Sequence, residues 1–394
     1  MNDPLLRGRP PAPRTSSCFP TPREIISELD RRVFGQAEAK RALATAVYNH
    51  FLGAWHRNER GSDLGPQHAL LIGPTGVGKT HMMRCLAEVL GVPVGFSSAT
   101  GLVEAGYVGK SVETVVKDLL DRANGDVEVA ERGIIFIDEI DKIRRTEENV
   151  RDVSGGGVQN ALLTLLDGRR CTGATGKEHP PVDTGKILFV CSGAFVGLDE
   201  IVTRRLDLAR DRVGFTTSAD ARIRHDFPGS AFLRNLETGD LVDFGFIPEL
   251  VGRFARVATL RPLSREDLRH LLEDLEDSPL DRQRAIARIH GIDLVYTAEA
   301  VDAIADAAFR LGTGARGLGR VAALSVEGLG HQWPDLADQG VTRIVVDVSR
   351  GHQSSLTPIF VKGDPVFSRR DGEARMALVE NTPSPSVGTG PNKA

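Results

Sequence analysis

The sequence predicts an α/β domain with a parallel sheet, followed by a smaller, mainly helical domain. From about residue 68 to 215, the short apolar runs "ALLIG", "GIIFID" and "KILFVCSG" alternate with stretches typical of helices. Strands that are apolar on both faces and separated by helices are typical of parallel sheets covered on both sides. After about residue 260, helical patterns replace the strand-like runs, with one final strand predicted near "TRIVVDV".

Four segments are expected along the 394 residues. Residues 1–20 are rich in proline and arginine, and we expect them to be disordered. Residues 21–260 are assigned to the large α/β domain and residues 261–350 to the small helical domain, which has a normal domain size. Residues 351–394 form a C-terminal extension that we expect to be disordered from about residue 370.

Two helix starts are marked by capping signals. The stretch "TPRE" offers Thr21 as an N-cap, Pro22 at the first helical position and Glu24 to close a capping box. The stretch "SRED" at Ser264 is a second signal of this kind, at the start of the small domain. We therefore expect helices to begin after Thr21 and after Ser264.

The composition is that of an ordinary globular protein and argues against several classes of function. A formal net charge of −4 and a pI near 6.2 give no basic surface for nucleic acid or anionic lipid. The apolar runs are too short to cross a bilayer and no signal pattern is present, so a cytoplasmic location is expected. The scattered Cys18, Cys85, Cys171 and Cys191 form no C-x-x-C pair, so we expect neither zinc nor disulfides.

The strongest chemical signal is "GPTGVGKT", a G-x-x-x-x-G-K-[ST] phosphate loop that lies between a predicted strand and a predicted helix. Glycines in such a loop let backbone N–H groups turn toward phosphate oxygens at the positive end of the helix. Lys79 is then expected to reach the terminal phosphates, and Thr80 to offer its hydroxyl to Mg²⁺. The ATP-binding residues predicted here are Gly73, Pro74, Thr75, Gly76, Val77, Gly78, Lys79, Thr80 and His81.

The second signal is "IIFIDEID", in which four apolar residues lead directly into Asp138 and Glu139. Beside a phosphate loop, Asp138 is expected to hold Mg²⁺ and Glu139 to polarise the attacking water. Two adjacent carboxylates after a strand are also common in a solvated turn, and the phosphate loop is what favours the catalytic interpretation.

Three further residues stand out but are ambiguous on the sequence alone. Arg253 in "FIPELVGRF" and Arg316 in "GTGARGLGR" are candidates to stabilise charge during phosphoryl transfer, although isolated arginines are usually surface residues. Tyr107 lies among glycines in "GLVEAGYVGK", which indicates an exposed aromatic on a mobile loop that contacts something.

A series of motifs then carries a family resemblance. In order, the chain contains "PTPREI", "FGQAEAKRALATAVYNH", "LLIGPTGVGKT", "EAGYVGKSVE", "RGIIFIDEIDKI", "RDVSGGGVQNALLTLLDG", "VDTGKILFVCSGAFVGLD", "FGFIPELVGR" and "TGARGLGR". From about residue 20 to 360 the sequence resembles the ClpX family, the AAA+ protein-unfolding subunits of the ClpXP protease. The resemblance implies an AAA+ P-loop ATP hydrolase that acts as an unfoldase and is not itself a peptidase.

The resemblance also implies a ring hexamer, with ATP bound between the two domains and between neighbouring subunits. Arg253 matches the arginine finger that reaches the next subunit's site, and Arg316 matches the sensor-2 arginine. Val33 and Phe34, in "VFGQ", match the stretch that lines the adenine pocket, although this stretch is equally compatible with a plain turn between two helices.

Further matches concern the polypeptide path and the protease partner. Gly106, Tyr107, Val108 and Gly109 match the pore loop whose aromatic drags unfolded or tagged substrates, and Arg151 lies in a stretch that resembles the second pore loop. Lys177 and His179 resemble the pore-entrance loop, but Glu178 stands between them and Lys110 follows the pore motif. Val213, Gly214 and Phe215 match the tripeptide that docks on ClpP, with valine in place of isoleucine.

One departure from the family leaves the function open. ClpX proteins usually carry an N-terminal zinc-binding domain, and the residues that precede the match here contain only Cys18. Besides an unfoldase that feeds ClpP, two alternatives are therefore retained: a remodelling chaperone that works without ClpP, and a nucleotide-gated regulatory relative of ClpX.

Overall fold

The structure is a computed structural model of one chain. The residues that it describes are 19–60, 67–103, 110–145, 155–171, 181–211, 235–275, 277–348 and 356–362. Within these residues, none of the helices combines the length and the apolar character that crossing a membrane requires.

The large domain is built on a five-stranded parallel sheet, which confirms the predicted fold class. Its strands in chain order are β1 (Ala69–Ile72), β2 (Val94–Ser98), β5 (Ile134–Asp138), β8 (Leu188–Gly193) and β9 (Arg256–Thr259). Across the sheet the order is β2-β5-β8-β1-β9. The strands that carry the two predicted ATP motifs, β1 and β5, therefore lie on either side of β8.

Successive residues of each central strand point into two different cores. In β5, Ile135 and Ile137 pack into one apolar cluster, whereas Ile134 and Phe136 pack into the cluster on the opposite face. This alternation follows from the two-residue repeat of a strand. Because both faces are covered, the strands read as the continuous apolar runs from which the sheet was predicted.

Helices and short strand pairs connect and cover this sheet. The helices are α1 (Pro22–Asp30), α2 (Ala37–Arg60), α3 (Lys79–Leu90), α4 (Thr114–Arg122), α5 (Val127–Glu131), α6 (Gly156–Leu166), α7 (Leu198–Asp211), α8 (Thr238–Asp243) and α9 (Pro248–Val251). The short strands are β3 (Leu102–Val103), β4 (Lys110–Ser111), β6 (Arg170–Cys171) and β7 (Val182–Asp183). The capping box predicted at Thr21 is present, with the Thr21 N–H donating to Glu24 Oε2 at 2.7 Å.

The small domain has its own apolar core, made by helices packed on a three-stranded sheet. Its elements are α10 (Arg265–Glu273), α11 (Pro279–Ile289), β10 (Asp293–Tyr296), α12 (Ala298–Arg310), α13 (Ala315–Leu324), α14 (Trp333–Asp338), β11 (Val341–Val348) and β12 (Leu356–Lys362). Ser264 caps α10 as predicted, in a box closed by Asp267. The sheet adds β10 and β12 to the single strand expected, and β12 lies in the segment that the sequence analysis placed after this domain.

Two side chains near the start of α2 contact the small domain. The Gln36 side chain donates to the Arg261 carbonyl at 2.9 Å and accepts from the Arg261 N–H at 3.0 Å. The Phe34 ring stacks on His270 of α10, with ring centroids 4.9 Å apart. The segment between α1 and α2 therefore contacts the small domain directly.

Candidate functional site

A cavity of about 530 Å³ opens where the carboxyl ends of β1, β5 and β8 meet. Its walls are the phosphate loop, the residues that follow β5 and β8, and the start of α13 in the small domain. Ligand sites in parallel α/β sheets commonly form at this edge, and the volume is within the range of small-molecule sites.

The phosphate loop makes the turn that its glycines predict. Gly76 and Gly78 have φ angles of +81° and +99°, a region that favours glycine, and α3 begins at Lys79. The first N–H groups of a helix have no partner within the helix, and they carry its positive partial charge. The loop therefore offers donors to an anion at the floor of the cavity.

Lys79 is buried, and carbonyl oxygens are its hydrogen-bond acceptors. Its Nζ donates to the Gly73 carbonyl at 2.6 Å and to the Pro74 carbonyl at 2.9 Å. Burial lowers the pKa of Lys79, although the nearby charges of Asp138 and Asp141 act in the opposite direction. A phosphate in the cavity would supply the counter-charge that a buried ammonium needs.

Two hydroxyl groups hold the carboxylate of Asp138. Thr80 Oγ1 donates to Asp138 Oδ2 at 2.7 Å, and the buried Ser192 of β8 donates to Asp138 Oδ1. Oxygen ligands of this type suit Mg²⁺, so Thr80 and Asp138 fit the predicted metal site. No role for Ser192 was predicted. It lies next to the last residue of β8, which pairs with β5, and adjacent parallel strands end at the same edge of the sheet.

Glu139 has a φ angle of +59°, which is uncommon for a residue with a side chain. Its Oε2 accepts from Ser98 Oγ at 2.9 Å and from Thr100 Oγ1 at 3.4 Å. Ser98 ends β2, and Thr100 lies in the short turn that leads into β3. Neither hydroxyl residue was predicted, because nothing in the sequence links them to a carboxylate some forty residues away.

Asp141 is a third carboxylate at the cavity, and unlike Asp138 and Glu139 it is buried. Its Oδ1 accepts from the Ala194 N–H at 3.1 Å, which connects the turn after β5 to the segment after β8. The motif "DEID" contains Asp141, so its place in the sequence was the available signal.

The small domain closes the cavity with the start of α13. Arg316 lines the cavity, and the N–H of Ala315 donates to the Gly76 carbonyl at 2.9 Å. The approach is close, because a Cβ atom built on Gly314 would lie 2.7 Å from the Gly76 oxygen. Arg316 and the phosphate loop thus line the same cavity.

Arg253 follows α9 and is not one of the residues that line this cavity. Its Nε donates to Asp167, the residue that follows α6, and this bond raises the pKa of Arg253. The described structure therefore brings together Lys79, Thr80, Asp138, Glu139 and Arg316, and it places Arg253 on a different surface.

Val33 and Phe34 also lie outside the lining of the cavity. Val33 is buried in the core below α2 and α3, and Phe34 stacks on the small domain. His81, which does line the cavity, contacts the Arg32 carbonyl at 3.1 Å. The "VFGQ" segment is thus adjacent to the site, and its role in binding adenine stays a prediction.

The predicted substrate-pore and docking residues cannot be placed, because they lie outside the described residues. They are Gly106, Tyr107, Val108, Gly109, Arg151, Lys177, His179, Val213, Gly214 and Phe215. Within the described part of the chain, there is no group of three or more His, Cys, Asp and Glu residues that could hold a metal ion.

Two family models match the chain. Residues 66–257 match an AAA domain of the Cdc48 subfamily, and residues 263–328 match the C-terminal, D2-small domain of ClpB protein. These matches cover the sheet with its cavity and most of the small domain.

Several curated relatives bear the name ATP-dependent Clp protease ATP-binding subunit ClpX. The relative from Borrelia duttonii is 37% identical over 367 residues, covering 90% of this chain and 84% of its own length. The relative from Treponema denticola is 42% identical over 314 residues, covering 77% and 75%. That from Porphyromonas gingivalis is 41% identical over 311 residues, covering 76% and 74%.

Proposed function

Because this chain belongs to the ClpX family of AAA+ ATPases, we propose that it is the ATP-driven unfolding subunit of a two-component protease. In this proposal the chain assembles into a ring hexamer in the cytoplasm and threads unfolded or tagged proteins through a central pore. It then delivers them to a ClpP-type peptidase. The observation that carries the proposal is the convergence of Lys79, Asp138, Glu139 and Arg316 on one cavity.

The residues of the phosphate loop bind and orient the substrate ATP. The N–H groups around Gly76 and Gly78 donate to phosphate oxygens, and the buried Lys79 neutralises their charge. Thr80 and Asp138 hold Mg²⁺, which, when bound, neutralises charge on the phosphates. Ser192 orients Asp138 through its hydrogen bond to Oδ1.

Glu139 is proposed to hold the water that attacks the terminal phosphate. In the described geometry its carboxylate accepts hydrogen bonds from Ser98 and Thr100. These hydroxyls fix the direction of the carboxylate, and they must yield at least one oxygen lone pair to the water. Arg316 faces the phosphates from the small domain, so the charge of ATP draws the two domains together.

Arg253 is proposed to complete the site of the neighbouring subunit. It does not line its own cavity, so a role in phosphoryl transfer requires that it reach another one. An arginine that enters a nucleotide site from outside can raise kcat about 10³- to 10⁵-fold. Activity should therefore depend on assembly of the ring.

The test of translocation uses a folded fluorescent protein that carries a long unstructured tail. We expect the wild type to abolish its fluorescence in an ATP-dependent reaction, and Tyr107→Ala to hydrolyse ATP without doing so. A flat aromatic contact grips any sequence, which is why this one side chain is chosen. Equal loss of fluorescence with both proteins would contradict the assignment of Tyr107.

A second arm of the experiment tests delivery to the peptidase. With purified ClpP-type peptidase added, Phe215→Ala should lose degradation of the tailed protein while ATP hydrolysis and unfolding persist. If the wild type unfolds the protein and never supports degradation, the chain is a remodelling chaperone. If the wild type hydrolyses ATP without unfolding anything, a regulatory relative of ClpX is the better description.

A further inference from the structure

We propose that Asp167 is a positioning residue, which holds Arg253 by one edge of its guanidinium so that the other edge faces a phosphate of the neighbouring subunit. This inference rests on the role of Arg253 proposed above. It adds a carboxylate that neither the phosphate loop nor the "DEID" motif contains. Three observations support it: the geometry of the ion pair, the position of Asp167 at the end of its helix, and the buried histidine that anchors this end of the helix.

The ion pair uses the inner edge of the guanidinium. Nε of Arg253 donates to Oδ1 of Asp167, and among the described residues Nη1 and Nη2 have no hydrogen-bond partner. An arginine that binds a phosphate through two parallel bonds needs such a free edge. The contact with Asp167 therefore fixes the direction of the side chain without occupying the atoms that would bind phosphate.

Asp167 occupies a position where a carboxylate does not favour its helix. It follows the last residue of α6, and its own N–H donates to the Leu163 carbonyl at 2.9 Å. The C-terminal end of a helix carries negative partial charge, which disfavours an acidic side chain there. The charge of Asp167 therefore does not stabilise α6, but it does bind the Arg253 side chain.

A buried histidine anchors the end of α6 beneath this pair. His68 Nδ1 accepts from the Phe189 N–H at 3.2 Å, so the ring proton lies on Nε2, which donates to the Leu166 carbonyl at 3.1 Å. Leu166 directly precedes Asp167, and Phe189 belongs to β8. The carboxylate that holds Arg253 is thereby fixed to the central sheet.

The experiment measures kcat and KM for ATP with full-length rings. We expect Asp167→Asn to lower kcat about tenfold, because displacing the Arg253 guanidinium by a fraction of an ångström misaligns it with the phosphate of the neighbouring subunit. KM should change less than about twofold, since the ATP-binding residues are untouched. Asp167→Glu, which keeps the charge on a longer side chain, should retain more of kcat than Asp167→Asn.

A control comes from a second exposed arginine–aspartate pair. Arg265 donates to Asp306 through Nε and also through Nη2, and Asp306 is 40% exposed, as Asp167 is. Asp306→Asn should therefore reproduce any general effect of removing an exposed carboxylate, and its kcat should equal that of the wild type. Melting temperature and ring assembly are expected to be the same for both variants.

A double-mutant cycle tests whether Asp167 acts through Arg253. In an Arg253→Lys background, which lacks the Nε edge, Asp167→Asn should cause no further loss. An unchanged kcat in Asp167→Asn, or an equal loss in both backgrounds, would overturn the inference. Arg253→Ala is assayed beside them, and full activity in that variant would refute the proposed role of Arg253 itself.

Discussion

Two arginines of this chain, Arg316 and Arg253, differ in where they are placed rather than in chemistry. Arg316 lies at the start of α13 and faces the cavity of its own subunit, beside the phosphate loop. Arg253 does not line that cavity and pairs with Asp167. In the function proposed above, Arg316 acts within its own subunit, whereas Arg253 contributes to phosphoryl transfer only when a second subunit is present.

The largest expected effect comes from mixing inactive subunits. Glu139→Gln, Arg253→Ala and Arg316→Ala should each reduce ATP hydrolysis by about 10³-fold or more. When Arg253→Ala and Glu139→Gln subunits are mixed before assembly, about a quarter of the sites in a head-to-tail ring regain both groups. The measurement is the rate of ATP hydrolysis of the mixture, which should rise far above that of either variant.

The control for mixing is the other arginine. Arg316→Ala mixed with Glu139→Gln should stay inactive, because Arg316 and Glu139 line the same cavity of one chain. If the rate of ATP hydrolysis recovered equally in the two mixtures, Arg253 and Arg316 would not differ in whether they act on their own subunit's site or on a neighbour's. Ring assembly of every mixture is checked by its mass in solution.

The second prediction concerns His68, which anchors the end of α6 next to Asp167, and the dependence of the free energy of unfolding on pH. Burial lowers the pKa of His68 from 6.5 to about 4. Between these values the unfolded chain binds a proton that the folded chain does not, so the free energy of unfolding falls by about 3 kcal/mol as the pH drops through this window. Urea unfolding of the wild type and His68→Gln between pH 4 and pH 7 measures the difference, and the variant should have the shallower dependence.

The exposed His331 provides the comparison for that experiment. His331→Gln makes the same replacement at an exposed position, so it reports any effect on unfolding that does not depend on burial. If the free energy of unfolding depended on pH in the same way for the wild type and for His68→Gln, His68 would not be the source of this pH dependence.

The smallest expected effect concerns the contact that brings Arg316 to the cavity. Gly314→Ala should raise KM for ATP about tenfold, because the added Cβ meets the Gly76 carbonyl and moves the start of α13 away from the phosphate loop. Steady-state ATP hydrolysis measures the change.

The variant Gly312→Ala is the comparison for this clash. Gly312 also has a positive φ, of +64°, and a Cβ built there meets nothing within 4 Å. Gly312→Ala therefore adds a Cβ at a positive φ without this clash, and it should leave KM near the wild-type value. If the two variants raise KM equally, the contact between Gly314 and Gly76 is not what matters.

The parts of the site that the sequence predicted are those made by neighbouring residues. The phosphate loop and Asp138-Glu139 are contiguous stretches at the ends of apolar strands, and their geometry follows from local chain direction. The fold class was predictable for the same reason, because continuous apolar runs between helices leave few alternatives to a parallel sheet.

The remaining parts depend on strands and helices that meet only in the folded chain. Ser98 and Thr100 reach Glu139 because β2 pairs with β5, and Ser192 reaches Asp138 because β8 does. Asp167 meets Arg253 across 86 positions of sequence. Serine, threonine and aspartate are common throughout the chain, so nothing in the local sequence singles these residues out.

The two-faced burial of the central sheet has a mechanical consequence. Each strand fills two separate cores with alternating side chains, so a slip of one residue would exchange every inward contact on both sides. Such a sheet moves as a rigid plate. We therefore expect the motion driven by ATP hydrolysis to be a rotation at the connections, above all near Arg261 and at the contact between Gly76 and Gly314.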